Sequence, residues 1–286
     1  MNELAVRRYT AADEAAVLQL INADRLPGQP TVTPEMLAEA LAGRSTVDSN
    51  WWKELDPPIT EVAQTTGGEV IGVVSSATRP TDDAGVILWL HCAEDPSIAR
   101  ALIQHAISRL GDRTIHAFDF ATALSLGLEG LPRRHRAATH AALTAAGFTG
   151  EDLWRYLRAP LPLDGLPPAG NVQAGPADDG IGTHLEIRQG GKVLAEATVG
   201  PPFQATAVLR WISVDPAARG RGLGRQLLGT ALDLMSRQGA EQVILYVDDD
   251  APADDPERDR TAANAMYDRA GFTEVDRLWS YRRSAD

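Results

Sequence analysis

A turn rich in glycine and arginine at positions 219–225 carries the clearest chemical signal in the sequence. It follows an apolar run that ends in Ile212-Ser213-Val214 and precedes apolar residues at helical spacing, which predicts strand, turn and helix. Glycines let backbone N–H groups converge on one point, where the positive end of a helix dipole also acts. An anion such as a pyrophosphate is therefore predicted to bind at Arg219, Gly220, Arg221, Gly222, Leu223, Gly224 and Arg225.

The spacing of these glycines disfavours two common phosphate-binding motifs. It is neither Gly-x-Gly-x-x-Gly nor Gly-x-x-x-x-Gly-Lys, so neither a dinucleotide fold nor a P-loop is indicated. The alternative interpretation is a glycine turn that starts a helix and binds nothing.

Two motifs in this half resemble those of the GNAT acyltransferase superfamily. The first is Arg/Gln-x-x-Gly-x-Gly/Ala between a strand and a helix, and it is filled by Arg219, Gly222 and Gly224. The second is an alanine with a tyrosine four residues on, leading into Gly-Phe, and it is matched by Ala263, Tyr267, Gly271 and Phe272. The two occur in the family's order, about forty residues apart, which makes the match more specific than either motif alone.

The resemblance implies that acetyl-CoA, or another acyl-CoA, is the acyl donor, with its pyrophosphate on the amides of 219–224. The thioester carbonyl would accept a hydrogen bond from a backbone N–H beside Ser213, that of Val214 or Ile212. An amine would attack the thioester directly, and Tyr267 would protonate or stabilise the leaving thiolate. The alternative for Tyr267 is a core residue on an amphipathic helix.

Three departures from the family pattern bear on catalysis. The strand 207–214 lacks the glutamate that many relatives keep as general base, which leaves Glu196 or Glu186 on the preceding hairpin, or a chain of waters. Glu196 is the candidate base, and a surface carboxylate is its alternative interpretation. Arg260 stands seven positions before Tyr267, where the family often has asparagine, and Asn264 is displaced. An acidic stretch at 248–259 resembles an insertion; it could attract a cationic acceptor or a metal, and a solvated loop is the alternative.

The two halves of the chain end alike, which indicates a duplicated domain. Ala146-Gly147-Phe148-Thr149 recurs as Ala270-Gly271-Phe272-Thr273. Strand and hairpin patterns upstream recur at nearly the same offset of about 125 residues. The segment 159–180 is rich in proline and glycine, a composition that supports neither a helix nor a central strand. It predicts a linker between a first domain at 1–158 and a second at 181–286.

Each half has the pattern strand, hairpin, strand, helix, strand, helix, strand, which predicts an α/β (α+β) fold with a mixed sheet. The resemblance implies two tandem GNAT domains, each a mostly antiparallel sheet flanked by helices. The first half opens with two additional helices, one after Thr10 and one at Thr33-Pro34, for which the second half has no room. Such helices wall the acceptor pocket in the family, so we expect the first half, or a second chain in a homodimer, to close it.

The first half is predicted to be a degenerate copy. Its equivalent of the glycine turn contains Glu94 and Asp95 and no glycine, which puts negative charge where a pyrophosphate would bind. Leu143 or Thr144 stands in the place of Tyr267.

Composition narrows the classes of partner. A net charge of −12 argues against nucleic acid, and the single cysteine, Cys92, excludes a disulfide within the chain and a cysteine-based zinc site. No signal peptide or membrane span is visible, so a cytoplasmic protein is expected. The sequence therefore predicts an N-acetyltransferase that uses acetyl-CoA, without a metal, on a primary amine of a small molecule or peptide. A catalytically idle CoA-binding or scaffold protein is the alternative.

Overall fold

The chain folds as two compact units: residues 1–154 with 276–286 form unit 1, and residues 155–275 form unit 2. The computed structural model describes residues 4–45, 49–167, 169–178, 180–248 and 260–285.

Among the described residues, unit 1 contains five α-helices and six complete strands. Its elements are β1 (Ala5–Arg8), α1 (Glu14–Ala23), α2 (Pro34–Leu41), α3 (Ser49–Trp52), β2 (Ile59–Gln64), β3 (Val70–Arg79), β4 (Ala84–His91), α4 (Pro96–Leu110), β5 (Ile115–Ala117), β6 (Leu131–Pro132) and α5 (Ala137–Ala145). The prediction of a helix at Thr33-Pro34 is confirmed, because the Thr33 hydroxyl accepts a hydrogen bond from the Met36 amide at 3.3 Å and Pro34 takes the first helical position.

Unit 2 repeats the strand order of unit 1 without the opening helices. Its elements are β8 (Val172–Pro176), β9 (Thr183–Gln189), β10 (Lys192–Val199), β11 (Thr206–Val214), α6 (Leu223–Arg237), β12 (Gln242–Asp248) and α7 (Thr261–Ala270). Two long strands, β7 (Thr149–Pro160) and β13 (Thr273–Arg283), each contribute residues to both units.

The two sheets share one topology. The order is β1-β2-β3-β4-β5 in unit 1 and β8-β9-β10-β11-β12 in unit 2. In each sheet the first four strands are antiparallel and the fifth is parallel to the fourth. Helices α4 and α6 follow equivalent strands, as do α5 and α7. The fold prediction is confirmed: the chain is a mixed α/β protein built from a repeated, mostly antiparallel unit.

The two units differ in what covers one face of the sheet. In unit 1, α1 and α2 lie between β1 and β2, and their apolar side chains form one buried cluster with Val62, Val73, Val86 and Leu88. In unit 2, residues 177–182 alone separate β8 from β9, and no described residue among them is helical. The expectation that the second half lacks these helices is confirmed.

Strand β8 lies inside the segment predicted to be a linker. Its sequence, Val-Gln-Ala-Gly-Pro, is unfavourable for a central strand, and the structure places it at the end of the strand order, paired with β9. An edge position tolerates this composition because a strand there needs hydrogen bonds along one side only.

The last residues of the chain belong to unit 1. Tyr281, Arg282 and Arg283 pair antiparallel with Ala117, His116 and Ile115 of β5. Asp276 is fully buried and accepts hydrogen bonds from the backbone N–H groups of Arg134 and His135 at 3.1 and 2.9 Å. Burial raises the pKa of this carboxyl, but the hydrogen bonds from His135, Arg134 and Arg277 outweigh it, so the pKa lies below its usual range.

Candidate active site

The described pairing between β11 and β12 ends where the predicted site begins. It joins Thr206, Ala207 and Val208 to Gln242, Val243 and Ile244. From Leu209 to Val214, β11 pairs with β10 on its other side. We call the edge of β11 beyond Val208, on the side of β12, the β11–β12 cleft.

The backbone of β11 turns two amides toward this cleft. The Asp215 N–H donates to the Leu194 carbonyl of the β10 side at 2.9 Å. Because N–H directions alternate along an antiparallel strand, the N–H groups of Ile212 and Val214 point away from β10, toward the side that β12 has left. The side chains of Ile212 and Val214 pack on the unit 2 core, whereas that of Ser213 lies on the opposite face.

Three glycines allow the turn that follows β11. Gly220 and Gly222 have φ of +75° and +78°, in the left-handed region that glycine adopts without strain. A Cβ on Gly224 would lie 3.4 Å from Val214 Cγ2 and 3.5 Å from Met266 Sδ, both ordinary van der Waals distances, so the first turn of α6 lies close to both β11 and α7.

The N-terminus of α6 has no side-chain cap. Its N-cap residue is Gly222, which offers no hydrogen-bonding side chain to the first amides of the helix. The first N–H groups of a helix have no partner within the helix and carry the positive end of its dipole. This terminus can therefore bind an anionic group.

The three arginines of the turn are exposed and add positive charge. Arg221 donates to the Gln189 side chain at 3.3 Å and Arg225 to the Gly165 carbonyl at 2.7 Å. Arg219 approaches the Val214 carbonyl at 3.5 Å. Among the carboxylates that the structure describes, none forms an ion pair with these three guanidinium groups. Their charge is thus available to a ligand.

The neighbouring acid, Asp215, is neutralised. Its carboxylate lies 2.7 Å from Lys192 Nζ and accepts a hydrogen bond from the Ala217 amide. Hydrogen bonding to Lys192, with the Ala217 amide and the charge of Arg219, holds the Asp215 pKa below its usual range.

Tyr267 lies on α7 within the core of unit 2. It is 4% exposed, and its ring meets that of Phe272 edge-on, with centroids 5.6 Å apart. Burial raises the pKa of its hydroxyl well above the usual range, which keeps the phenol protonated at neutral pH. The protonated hydroxyl can therefore act as a proton donor. The burial of Tyr267 and its contact with Phe272 are also what a core packing residue would show.

Glu196 lies directly opposite Ser213 in the β10–β11 register. Its Oε1 accepts hydrogen bonds from the Trp211 indole at 3.3 Å and the Ser213 hydroxyl at 3.4 Å. His184 Nε2 lies 3.8 Å from Glu196 Oε2 and 3.4 Å from Glu186 Oε1. Glu186 forms an ion pair with Arg188 at 2.6 Å, which holds its pKa below the usual range. Glu196 is thus the freer of the two candidate carboxylates.

Trp211 and His184 were missed by sequence reasoning. Simple alternation would put Leu209 and Trp211 on one face of β11, with the core. The register instead pairs Thr198 with Trp211 and Val199 with Leu209, so Arg210 is an extra residue and the faces exchange. The hairpin pattern of β9 and β10 could have indicated His184, because the hairpin places it opposite Thr198.

The equivalent positions of unit 1 are filled by its own carboxylates. Asp95 caps α4, accepting hydrogen bonds from the Ser97 and Ile98 amides at 2.8 and 3.1 Å. Glu94 lies 2.6 Å from Arg136 Nε and accepts from the Ala138 amide at the start of α5. These amides are occupied by side chains, in contrast to those at the start of α6.

Of the departures from the family pattern, the structure describes the displaced asparagine but not most of the acidic stretch. Residues 249–259 of the acidic stretch lie outside the described part of the chain. Asn264 is on α7, where its side chain takes part in a cluster around Arg155, which also contacts Glu274 at 2.8 Å and Asp268 at 3.1 Å. Arg260 precedes α7, at its N-cap.

Comparison with known proteins identifies this architecture. The Acetyltransferase (GNAT) family model matches residues 151–272, which include the glycine turn and Tyr267. This segment of the chain is similar to the GNAT family. Mycothiol acetyltransferase of Geodermatophilus obscurus is 36% identical over 48% of this chain and 38% of its own length. That of Beutenbergia cavernae is 39% identical over 30% and 26%. These matches span well under half of either relative.

Longer similarities cover the whole chain at lower identity. Mycothiol acetyltransferase of Thermobispora bispora is 28% identical over 98% of this chain and 88% of its own. A tandem GNAT protein from the clavulanic acid biosynthesis pathway has a TM-score of 0.68 at 18% identity, covering 99% of both chains. A GCN5-related N-acetyltransferase from Sphaerobacter thermophilus has a TM-score of 0.62 at 14% identity, covering 99% of this chain and 96% of its own. The GNAT fold thus occurs twice in tandem.

The described residues hold neither a membrane-spanning helix nor a metal-binding cluster. No helix within them is both long and apolar enough to cross a bilayer. No group of three or more His, Cys, Asp or Glu side chains there is arranged to hold a metal ion. Cys92 is buried, which raises the pKa of its thiol to about 12.

Proposed function

We propose that this chain is an N-acetyltransferase that moves the acetyl group of acetyl-CoA to a primary amine. The observation that carries the proposal is the uncapped N-terminus of α6, at the end of the β11–β12 cleft and flanked by three arginines that pair with none of the described carboxylates. That site can hold a pyrophosphate, and the cleft can hold an extended thioester arm. The match of residues 151–272 to the GNAT family model and the similarity to acetyltransferases support the same reaction.

The amides of Ile212 and Val214 are proposed to polarise the thioester carbonyl. The neutral amine nitrogen attacks the carbonyl carbon, and negative charge grows on its oxygen, where a backbone N–H stabilises it. The C–S bond then breaks and the electron pair leaves with sulfur. Tyr267 supplies a proton to that sulfur, which its protonated phenol permits, and the phenolate regains a proton from water. The amine's proton leaves through Glu196 and water to solvent.

Unit 1 is proposed to be a degenerate copy that binds no acyl-CoA. Asp95 and Glu94 satisfy the amides at the starts of α4 and α5, so a pyrophosphate would have to displace a bound carboxylate. The buried thiol of Cys92 is compatible with the reducing cytoplasm, which is the proposed location.

Thiol release from acetyl-CoA, measured with a panel of primary amines, tests the proposal. Amine-dependent release above the rate of hydrolysis supports acetyl transfer. Tight binding of acetyl-CoA with no release for small amines or for peptides would contradict it. That outcome would favour the alternative of a catalytically idle acyl-CoA-binding protein, to which the missing β11 glutamate points.

A further inference from the structure

The outer face of the unit 2 sheet carries an exposed tryptophan beside a carboxylate. Trp211 is 53% exposed, although large aromatic side chains are usually buried. Its indole N–H is held by Glu196 at 3.3 Å, which fixes the ring orientation and leaves its π-face available. An indole that is exposed and held in one orientation can contact a ligand and is not part of the core.

This face is the one from which an acceptor can reach the cleft. Ala195 and Ala197 of β10 pack in the core that includes α6, so Glu196 between them projects to the other side of the sheet. Trp211 and Ser213 contact Glu196 and therefore lie on that side too. They alternate along β11 with Ile212 and Val214, whose amides face the cleft. Since α6 covers the opposite face, the acceptor approaches past Trp211 and Glu196.

The charge on this face favours a cation. Glu186 is neutralised by Arg188, and Lys192 is engaged with Asp215. The Glu196 side chain is 37% exposed; its Oε2 lies 3.8 Å from His184 Nε2, and no described lysine or arginine forms an ion pair with it. An ammonium ion can contact both a carboxylate and the face of an indole, and the latter contact is attractive because the ring quadrupole is negative there.

We propose that Trp211 and Glu196 form a subsite that binds the acceptor as an organic ammonium ion before it loses a proton to solvent. This inference rests on the proposed function, because it names the class of the acceptor: a basic aliphatic amine. Weakly basic amines, which are uncharged at neutral pH, lack the charge that Glu196 recognises.

Indole NMR of the full chain, in the absence of acetyl-CoA, tests binding separately from transfer. The chain has six tryptophans, and Trp211→Phe assigns the Trp211 signal. We expect butylammonium to shift that signal saturably and butan-1-ol, its uncharged analogue, to bind at least about fivefold more weakly. Glu196→Gln should weaken butylammonium binding by a similar factor, and Glu69→Gln, an exposed glutamate of unit 1, should not.

The signal of Trp51, which is 49% exposed in unit 1, serves as the internal control. Equal shifts with butylammonium and butan-1-ol, no shift at Trp211, or unchanged binding in Glu196→Gln would overturn the proposal. Thiol-release assays then separate the two claims. Binding at Trp211 without transfer to any amine would contradict the proposed function alone. Transfer to butylamine with an unchanged KM in Trp211→Ala and Glu196→Gln would contradict the ammonium subsite alone.

Discussion

Removing two arginines from the glycine turn should weaken acetyl-CoA binding without destabilising the fold. Arg219 and Arg221 are exposed, and their recorded partners are a carbonyl oxygen and an amide oxygen. Because neither arginine forms an ion pair with a described carboxylate, replacing both with glutamine removes no described ion pair. The matched control is Arg237→Gln at the other end of α6, where the arginine forms an exposed ion pair with Asp233 at 3.0 Å.

The size of the effect follows from Coulomb's law. A guanidinium about 5 Å from one phosphate charge contributes about 0.8 kcal/mol at the dielectric constant of water. Two such contacts amount to about 1.6 kcal/mol, or a rise of about 15-fold in Kd. Salt screens exposed charges, so the difference should shrink to a few-fold at an ionic strength of about 0.5 M.

Calorimetric titration of acetyl-CoA into the wild type, the double variant and Arg237→Gln, at low and at high salt, measures this effect. The double variant should lose affinity mainly at low salt, with a thermal midpoint close to that of the wild type. Arg237→Gln should bind within about twofold of the wild type, because an exposed i, i+4 pair contributes little. Wild-type affinity in the double variant at low salt, or an equal loss in Arg237→Gln, would refute the assignment of the anion site.

Three further predictions concern Tyr267, Asp276 and the division of the chain. Tyr267→Phe should lower kcat by about 10²-fold with little change in acetyl-CoA affinity, since the hydroxyl acts only as charge develops on sulfur. Asp276→Asn should lower the free energy of unfolding by about 3 kcal/mol at pH 7, because buried donors lose a charged acceptor. Residues 171–286 expressed alone should be insoluble or inactive, since that fragment lacks the unit 2 residues 155–170 and retains 276–286, which belong to unit 1.

A different result would contradict each of these three predictions. A wild-type kcat in Tyr267→Phe with the best acceptor would make Tyr267 a packing residue. The Asp276 pKa is lowered in the folded state, so its stabilisation is complete above the unfolded pKa of about 3.9 and is lost as the pH falls through the folded pKa. A difference between Asp276→Asn and wild type that persists undiminished at low pH would contradict that origin. A soluble, fully active 171–286 fragment would show that the remaining residues are dispensable.

The glycine turn could be predicted from the sequence because its constraints are local. Gly220 and Gly222 have positive φ, a conformation that few other residues adopt without strain. The preceding apolar strand and the following amphipathic helix have periods that the sequence shows directly. The repeat was visible for the same reason, since both halves carry the same order of local patterns.

Other features depend on pairing that no local pattern reveals. The bulge at Arg210 reverses the faces of β11, so Trp211 emerges beside Glu196 against the expected alternation. Strand β8 forms despite Gly175 and Pro176 because its partner β9 is available on one side. The assignment of 276–286 to unit 1 rests on buried contacts such as those of Asp276, whose partners lie far away in the sequence.

The stoichiometry of acetyl-CoA binding tests the central claim most directly. Calorimetry on the full chain should give one site per chain, because the amides at the start of α6 have no side-chain cap whereas Asp95 caps those of α4. Gly222→Asp and Gly224→Asp, each of which places a carboxylate at the α6 terminus, should abolish that site. Two equivalent sites per chain, or undiminished binding in both variants, would contradict the account.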